Sequence, residues 1–288
     1  MTPLVASFLV AEGQVTADAT WTPLQGGRSN SLWRVKAPGA DWVCKLFHAP
    51  DSNPLFPNDS TAEAVVLAAL KGVGLAPELV KTVSTPAGLC IFYDFIPGKA
   101  GRVSPEDVAG LLGRLHCLGS GPAVRRLPTE IDALLAHALR ILDQCKQKSD
   151  LLALKPTVPD LTAVTPVLIH GDATAANIIS TKTGCVLIDW QCPALADPCE
   201  DIATYLSPAM QFLSTGSPLS QPQTEDFLQA YPVVATTQRY RAIAPLFHFR
   251  MAAYCRWKTD AGHSEYSDAG ALEVLALKEL SRSTSQSQ

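Results

Sequence analysis

The chain has 288 residues, 47% of them hydrophobic and 17% charged, which is enough apolar side chain to build a sizeable folded core. A net charge of −4, with no basic run and no interleaving of aromatic and basic residues, excludes nucleic-acid binding as the main task. No apolar stretch is long enough to cross a bilayer and the apolar opening at 3–11 follows no basic region, so no membrane span and a cytoplasmic location are expected.

In chain order, strands are predicted at 21–24 and 31–36, flanking the glycine-containing stretch Gln25-Gly26-Gly27-Arg28-Ser29-Asn30. A third predicted strand, 41–47, carries Lys45 among alternating apolar neighbours. The next helix opens at Ser60-Thr61-Ala62-Glu63 and runs toward Gly72 with apolar spacing that suits packing on a sheet. Ser60 and Glu63 fit a capping box, in which Glu63 bonds back to the backbone of Ser60. Two more strands, 77–83 and 89–95, surround the turn Thr85-Pro86-Ala87-Gly88. The breaker-rich stretch 96–101 then separates a part spanning 1–95 from one spanning 96–288. The second part begins with an N-cap serine at Ser104, Pro105 at the first helical position and two acids in the first turn.

Leu111, Leu112, Leu115 and Leu118, and then Ile131, Leu134, Leu135, Ala138, Leu142 and Cys145, fall at helical spacing and predict core faces. His116 and His137 lie on those helices and are read as hydrogen-bonded or surface histidines without a catalytic role. The richest stretch is His170-Gly171-Asp172-Ala173-Thr174-Ala175-Ala176-Asn177, followed by Val186-Leu187-Ile188-Asp189-Trp190. Apolar runs at 166–170 and 185–189, with a turn signal at 182–184, predict a hairpin-like arrangement that brings Asp189 back toward Asp172 and Asn177. Asp172 can orient or deprotonate an attacking hydroxyl, and Asn177 and Asp189 offer hard oxygen ligands suited to Mg²⁺ on nucleotide phosphates. Asp197-Pro198-Cys199-Glu200 reads as a capped helix start, and the polar end from residue 280 predicts a disordered tail. Eight scattered cysteines without a C-x-x-C pair read as reduced thiols acting as small hydrophobes rather than as disulfides or zinc ligands.

The H-G-D-x-x-x-x-N spacing with a following I-D-W resembles the aminoglycoside phosphotransferase and choline kinase superfamily, the small-molecule relatives of protein kinases. The resemblance implies an α+β, bilobal, protein-kinase-like fold, with a small β-sheet lobe carrying one helix and a larger, mainly helical lobe. It implies Asp172 as the catalytic residue, Asn177 and Asp189 as Mg²⁺ ligands, and His170 and Asp201 as braces of the catalytic loop. Lys45 then pairs with ATP phosphates and takes Glu63 as partner, the capping box remaining the alternative for Glu63. Gly26, Gly27, Ser29 and Asn30 would cradle phosphates, and backbone groups near Tyr93 and Phe95 would meet the adenine ring. Gly171 in place of the protein-kinase arginine, and the lack of an A-P-E segment, favour a small-molecule acceptor and no obligate protein partner.

A choline-, ethanolamine- or thiamine-like amino alcohol is the first acceptor class implied, and an aminoglycoside or sugar the second. A nucleotide-binding regulatory protein is the alternative of another class. Gln191 departs from the I-D-W-E run of many amino-alcohol kinases and so removes one negative charge. Phe247, Phe249, Tyr254 and Trp257 are read as helical core packing in preference to a cation-binding box.

Overall fold

The computed structural model describes residues 3–24, 29–48, 53–101, 103–119 and 121–286. The amino-terminal helix α1 (Leu4–Ala11) leads into strands β1 (Thr20–Pro23), β2 (Asn30–Ala37) and β3 (Ala40–Phe47), then helix α2 (Ser60–Ala69) and strands β4 (Leu79–Thr85) and β5 (Gly88–Asp94). These strands form one antiparallel sheet in the order β1-β2-β3-β5-β4, with β3 at its centre. Strand alternation sorts β3 into two faces. Cys44 and Leu46 pack with Val5 and Leu9 of α1, whereas Val43 and Phe47 pack in the cluster that holds Val66 and Leu67 of α2. Lys45 shares that second face, between Leu32 of β2 and Ile91 of β5.

After β6 (Lys99–Ala100) the chain becomes mainly helical: α3 (Pro105–His116), α4 (Ile131–Asp143) and the short α5 (Ser149–Leu152) precede the stretch that carries Asp172. Ser104 caps α3 by accepting from the Asp107 N–H at 3.1 Å, with Pro105 and two acids in the first turn, as the local pattern predicts. Strands β7 (Val167–Ile169), β8 (Ile178–Thr181), β9 (Gly184–Leu187) and β10 (Ala194–Ala196) follow. Helices α6 (Cys199–Leu206), α7 (Pro208–Thr215), α8 (Gln221–Ala230), α9 (Val234–Asp260) and α10 (Glu265–Gln286) close the fold. One apolar cluster runs from Val43 and Phe47 through Leu187 and Trp190 to Phe227 and Phe247, so sheet and helices share a core.

Three expectations are corrected. The hairpin around Lys182-Thr183 joins β9 to β8, while β7 pairs with β10. The cause is local: Gly184 at φ +135° and the Thr181 hydroxyl bonding to the Gly184 carbonyl close a tight turn, so β9 pairs with the strand immediately before it. The capping box at Ser60 does not form, because Asp59 caps α2 through the Ala62 N–H at 2.9 Å. The tail is helical to Gln286, anchored where Leu277 is buried and Leu280 packs on the core.

Candidate active site

Lys45 is wholly buried, and its ammonium lies 2.5 Å from the Glu63 carboxylate and in contact with that of Asp189. Burial opposes charging Lys45, but the two carboxylates outweigh it and raise its pKa. Glu63 is pushed up to about 7 by burial, which the Lys45 charge counters and the Asp189 charge reinforces. Two acids thus share one buried cation. The arrangement is costly to break, since stripping one partner from a buried pair typically costs about 3–5 kcal/mol.

Asp189 stands at φ +65°, the non-glycine residue in the left-handed region among those described. Such a conformation costs about 1–2 kcal/mol, and Trp190 supplies the means to hold it. Its ring is fully buried, its indole N–H donates to the Leu187 carbonyl at 3.0 Å, and it meets the His170 ring edge-on at 4.5 Å. The anchored tryptophan turns the chain so that the aspartate before it faces the open side.

The stretch carrying Asp172 is fixed from beneath by Asp201. One Asp201 oxygen accepts from the His170 N–H at 2.8 Å and from His116 Nε2 at 3.1 Å; the other accepts from the Gly171 N–H at 2.8 Å. Burial works against the carboxylate, yet the hydrogen bond and charge of His116 and the His170 backbone N–H hold its pKa below the usual range. His170 accepts from the Asp172 N–H at Nδ1, so its proton sits on Nε2 and goes to the Ile188 carbonyl, which ties the loop to the strand ahead of Asp189. Burial lowers the His170 pKa and keeps the ring neutral. Gly171 has no room for a side chain: at φ +79°, a Cβ there would meet the Cys192 carbonyl oxygen at 2.1 Å. Arg125 holds that same carbonyl at 3.0 Å.

Asn177 donates to the Asp172 carbonyl at 2.9 Å and to its carboxylate at 3.0 Å. Burial and the nearby Asp189 charge raise the Asp172 pKa well above the ordinary value. The Ile188 N–H bonds to the Asn177 carbonyl, which closes the distance between Asn177 and Asp189. Lys45, Asp172, Asn177 and Asp189 line one cavity of about 300 Å³, a size that suits a small ligand. Its outer wall includes Phe56, Tyr254 and Tyr266, with Tyr254 set edge-on to both other rings at 5.2 and 5.9 Å.

The profile of the phosphotransferase enzyme family matches residues 20–245, which takes in the sheet, the lysine strand and the whole stretch from His170 to Asp189. The chain belongs to that family. No curated protein sequence matches this phosphotransferase. Among solved structures it is similar to a choline/ethanolamine kinase family protein from Mesorhizobium loti, at 17% identity and a TM-score of 0.65, over 96% of this chain and 93% of that one. It is similar to a thermostable mutant of the aminoglycoside phosphotransferase APH(4)-Ia in ternary complex with AMP-PNP and hygromycin B, at 14% identity and a TM-score of 0.71, over 96% and 98% of the two chains. Choline kinase from Cryptosporidium parvum Iowa II matches at 13% identity and a TM-score of 0.65, over 98% and 96%. These likenesses show the α+β, protein-kinase-like fold: an antiparallel five-stranded sheet joined to a mainly helical part.

In this phosphotransferase the structure brings together Lys45, Glu63, Asp172, Asn177 and Asp189, with His170 and Asp201 directly beneath. Ser29 and Asn30 line the cavity, although the Asn30 amide is spent on Asn58 and Gln191 at 2.8 Å each. Gly26 and Gly27 lie outside the described residues. Tyr93 and Phe95 are not brought to the cavity: Tyr93 is buried in the sheet, the Phe95 N–H bonds to the Asp41 carbonyl, and the Phe95 ring lies 3.5 Å from the Arg34 guanidinium. Of the carboxy-terminal aromatics, Phe247 and Phe249 are core, while Tyr254 is both buried and part of the cavity wall.

Sequence reasoning assigned no role to His116, which the fold places between Asp201 and the Tyr231 hydroxyl, at 3.1 and 2.7 Å. Its position beside Leu112 and Leu115 on the buried face of α3 was the available signal. Arg125 and Asn58 carried no signal at all, because their partners are backbone and amide groups remote in sequence.

Proposed function

We propose that this phosphotransferase is a small-molecule kinase, which moves the γ-phosphate of ATP, in the presence of Mg²⁺, to a hydroxyl of its acceptor. The observation that carries the proposal is the convergence of Asp172, Asn177, Asp189 and Lys45 on one cavity, since phosphoryl transfer to a hydroxyl calls for that set. The donors fit Mg²⁺: Asp189 is a carboxylate, and Asn177, with its N–H groups committed to Asp172, has its Oδ1 as the atom left to meet a cation. The metal, when bound, would neutralise charge on the phosphates.

The residues of the chain do the positioning. Lys45, pinned by Glu63, exchanges its contact with Asp189 for phosphate oxygens. Asp172 accepts a hydrogen bond from the acceptor hydroxyl and aims its oxygen, with Asn177 and the Asp201 brace fixing the carboxylate. The acceptor oxygen bonds to the γ-phosphorus, the bond to the β-phosphate oxygen breaks, ADP leaves, and the hydroxyl proton passes to Asp172. Residues 1–95 would serve the nucleotide and 96–288 the catalytic loop and acceptor.

A choline-, ethanolamine- or thiamine-like amino alcohol is the acceptor supported by the aromatic trio Phe56, Tyr254 and Tyr266. A sugar hydroxyl is the second reading, favoured by the polar groups of Asn53, Gln191 and Ser214 in the same wall. The test is Mg²⁺-dependent ATP consumption across both acceptor classes, with Asp172→Ala as comparison. The variant should lose turnover by about 10²–10⁴-fold while retaining nucleotide. Loss of nucleotide affinity in a folded Asp172→Ala protein would show that the roles are wrongly divided.

A further inference from the structure

Gln191 follows Asp189 by two residues, is only 7% exposed, and lines the cavity. Its amide orientation can be deduced from its neighbours. The His48 backbone N–H, a donor and nothing else, points at Asn30 at 3.3 Å, so that atom of Asn30 is Oδ1. The other atom of the Asn30 amide is therefore Nδ2, which donates to Asn58 Oδ1 and to Gln191 at 2.8 Å each. Asn58 returns a bond to Asn30 Oδ1 at 2.9 Å, which locks the pair reciprocally. Gln191 must accept with Oε1, and its Nε2 is turned away from the network. No described residue accepts from Nε2, which remains accessible from the cavity. The backbone holds the residue in place as well, since the Gln191 carbonyl accepts from the Asp59 N–H at 3.1 Å.

The charges around this donor matter equally. Among the described lining residues, the carboxylates Asp172 and Asp189 stand with the ammonium groups of Lys45 and Lys258, and Lys45 is shared with Glu63. Lys258 Nζ lies 5.9 Å from the Tyr266 ring centroid, so one of the three aromatic faces of the wall already serves a resident cation. A cation placed at Gln191 would meet a neutral N–H donor, which has no lone pair to offer it.

Resting on the kinase reading above, we infer that Gln191 is a specificity-determining residue. It selects an acceptor that presents oxygen, as a hydroxyl, ether, carbonyl or carboxylate, and rejects one that presents an ammonium at this point. The acceptor class is thus an oxygen-rich, uncharged or anionic hydroxyl compound of the sugar or polyol type. Within the proposed function this decides for the second acceptor reading over the amino alcohols.

Gln191→Glu tests the assignment, because glutamate keeps the shape and one acceptor oxygen for Asn30 while replacing the cavity-facing donor with a negative oxygen. Wild type and variant are compared by kcat/KM on sugars, polyols and hydroxy acids against choline, ethanolamine and thiamine, with AMP-PNP binding measured alongside to confirm an intact fold. The expected result is a best wild-type acceptor from the oxygen-rich set. The variant should lose about tenfold or more on it, through a specificity constant lowered mainly by a raised KM, and should gain on the amino alcohols. A wild type that prefers a cationic amino alcohol, or a variant that changes both classes by the same factor, overturns the role of Gln191 and leaves the kinase reading standing. ATP consumption with no acceptor in either class overturns the kinase reading, and the inference falls with it.

Discussion

Replacing Asp201 with asparagine removes one charge and one acceptor atom from a site where three donors converge, the N–H groups of His170 and Gly171 and Nε2 of His116. Either orientation of the new amide sets an N–H group against a buried N–H donor. If nitrogen faces Gly171, one bond is lost; if it faces His170, two are lost. A hydrogen bond to a charged group contributes about 1.5–3 kcal/mol, and the surviving bonds weaken to neutral strength, so a loss of about 2–5 kcal/mol follows. At about 2–4 °C per kcal/mol for a domain of roughly this size, the melting temperature should fall by about 4–20 °C. Thermal unfolding followed by circular dichroism measures this directly.

The pH dependence carries the sign of the mechanism. Because the folded state holds Asp201 below its unfolded value near about 3.9, its contribution is present above that pH and is lost as pH falls through the folded value. The gap between wild type and variant should therefore be full near neutrality and narrow in acid. Turnover should fall by tenfold or more, on the order of the cost of a displaced catalytic group, with AMP-PNP still bound. A melting temperature within about 2 °C of wild type, with unchanged turnover, would refute the bracing role.

Gly171→Ala should cost about 2–4 kcal/mol and depress turnover, since its Cβ meets the Cys192 carbonyl at 2.1 Å at a backbone conformation unfavourable to L-residues; chemical denaturation and steady-state kinetics report the two effects. Lys45→Ala leaves Glu63 and Asp189 without their shared cation, so stability should drop by about 3–5 kcal/mol and nucleotide affinity should fall; adding Glu63→Gln should recover part of the stability but none of the affinity. His137 Nε2 donates to the Pro54 carbonyl at 3.1 Å, and burial lowers its pKa to about 4. The unfolded chain takes up this proton first, near pH about 6.5, so wild-type stability should fall as pH drops from there toward 4, and His137→Gln should flatten that slope in urea unfolding.

Local chemistry was legible in the chain. Short apolar, β-branched or aromatic runs bounded by turn residues marked β3 and β5, which are buried on both faces, and Ser104-Pro105 marked α3 because capping groups act within one turn. The candidate site was legible for the same reason: Asp172, Asn177 and Asp189 converge through a short turn and a two-residue hairpin. Which partner each polar group chose was a tertiary decision. Glu63 was free by sequence to cap its own helix, and went to Lys45 because Asp59 took the cap and burial makes an unpaired Lys45 intolerable. Strand β9 chose β8, His116 found Asp201 across 85 residues, and Asn30 turned from an expected phosphate ligand into the clamp that orients Gln191 across 161. Sequence carries the hydrogen-bonding capacity of each side chain, but a buried donor or acceptor is satisfied by whatever the fold brings within about 3 Å, and that proximity exists only once the sheet and the helices share a core.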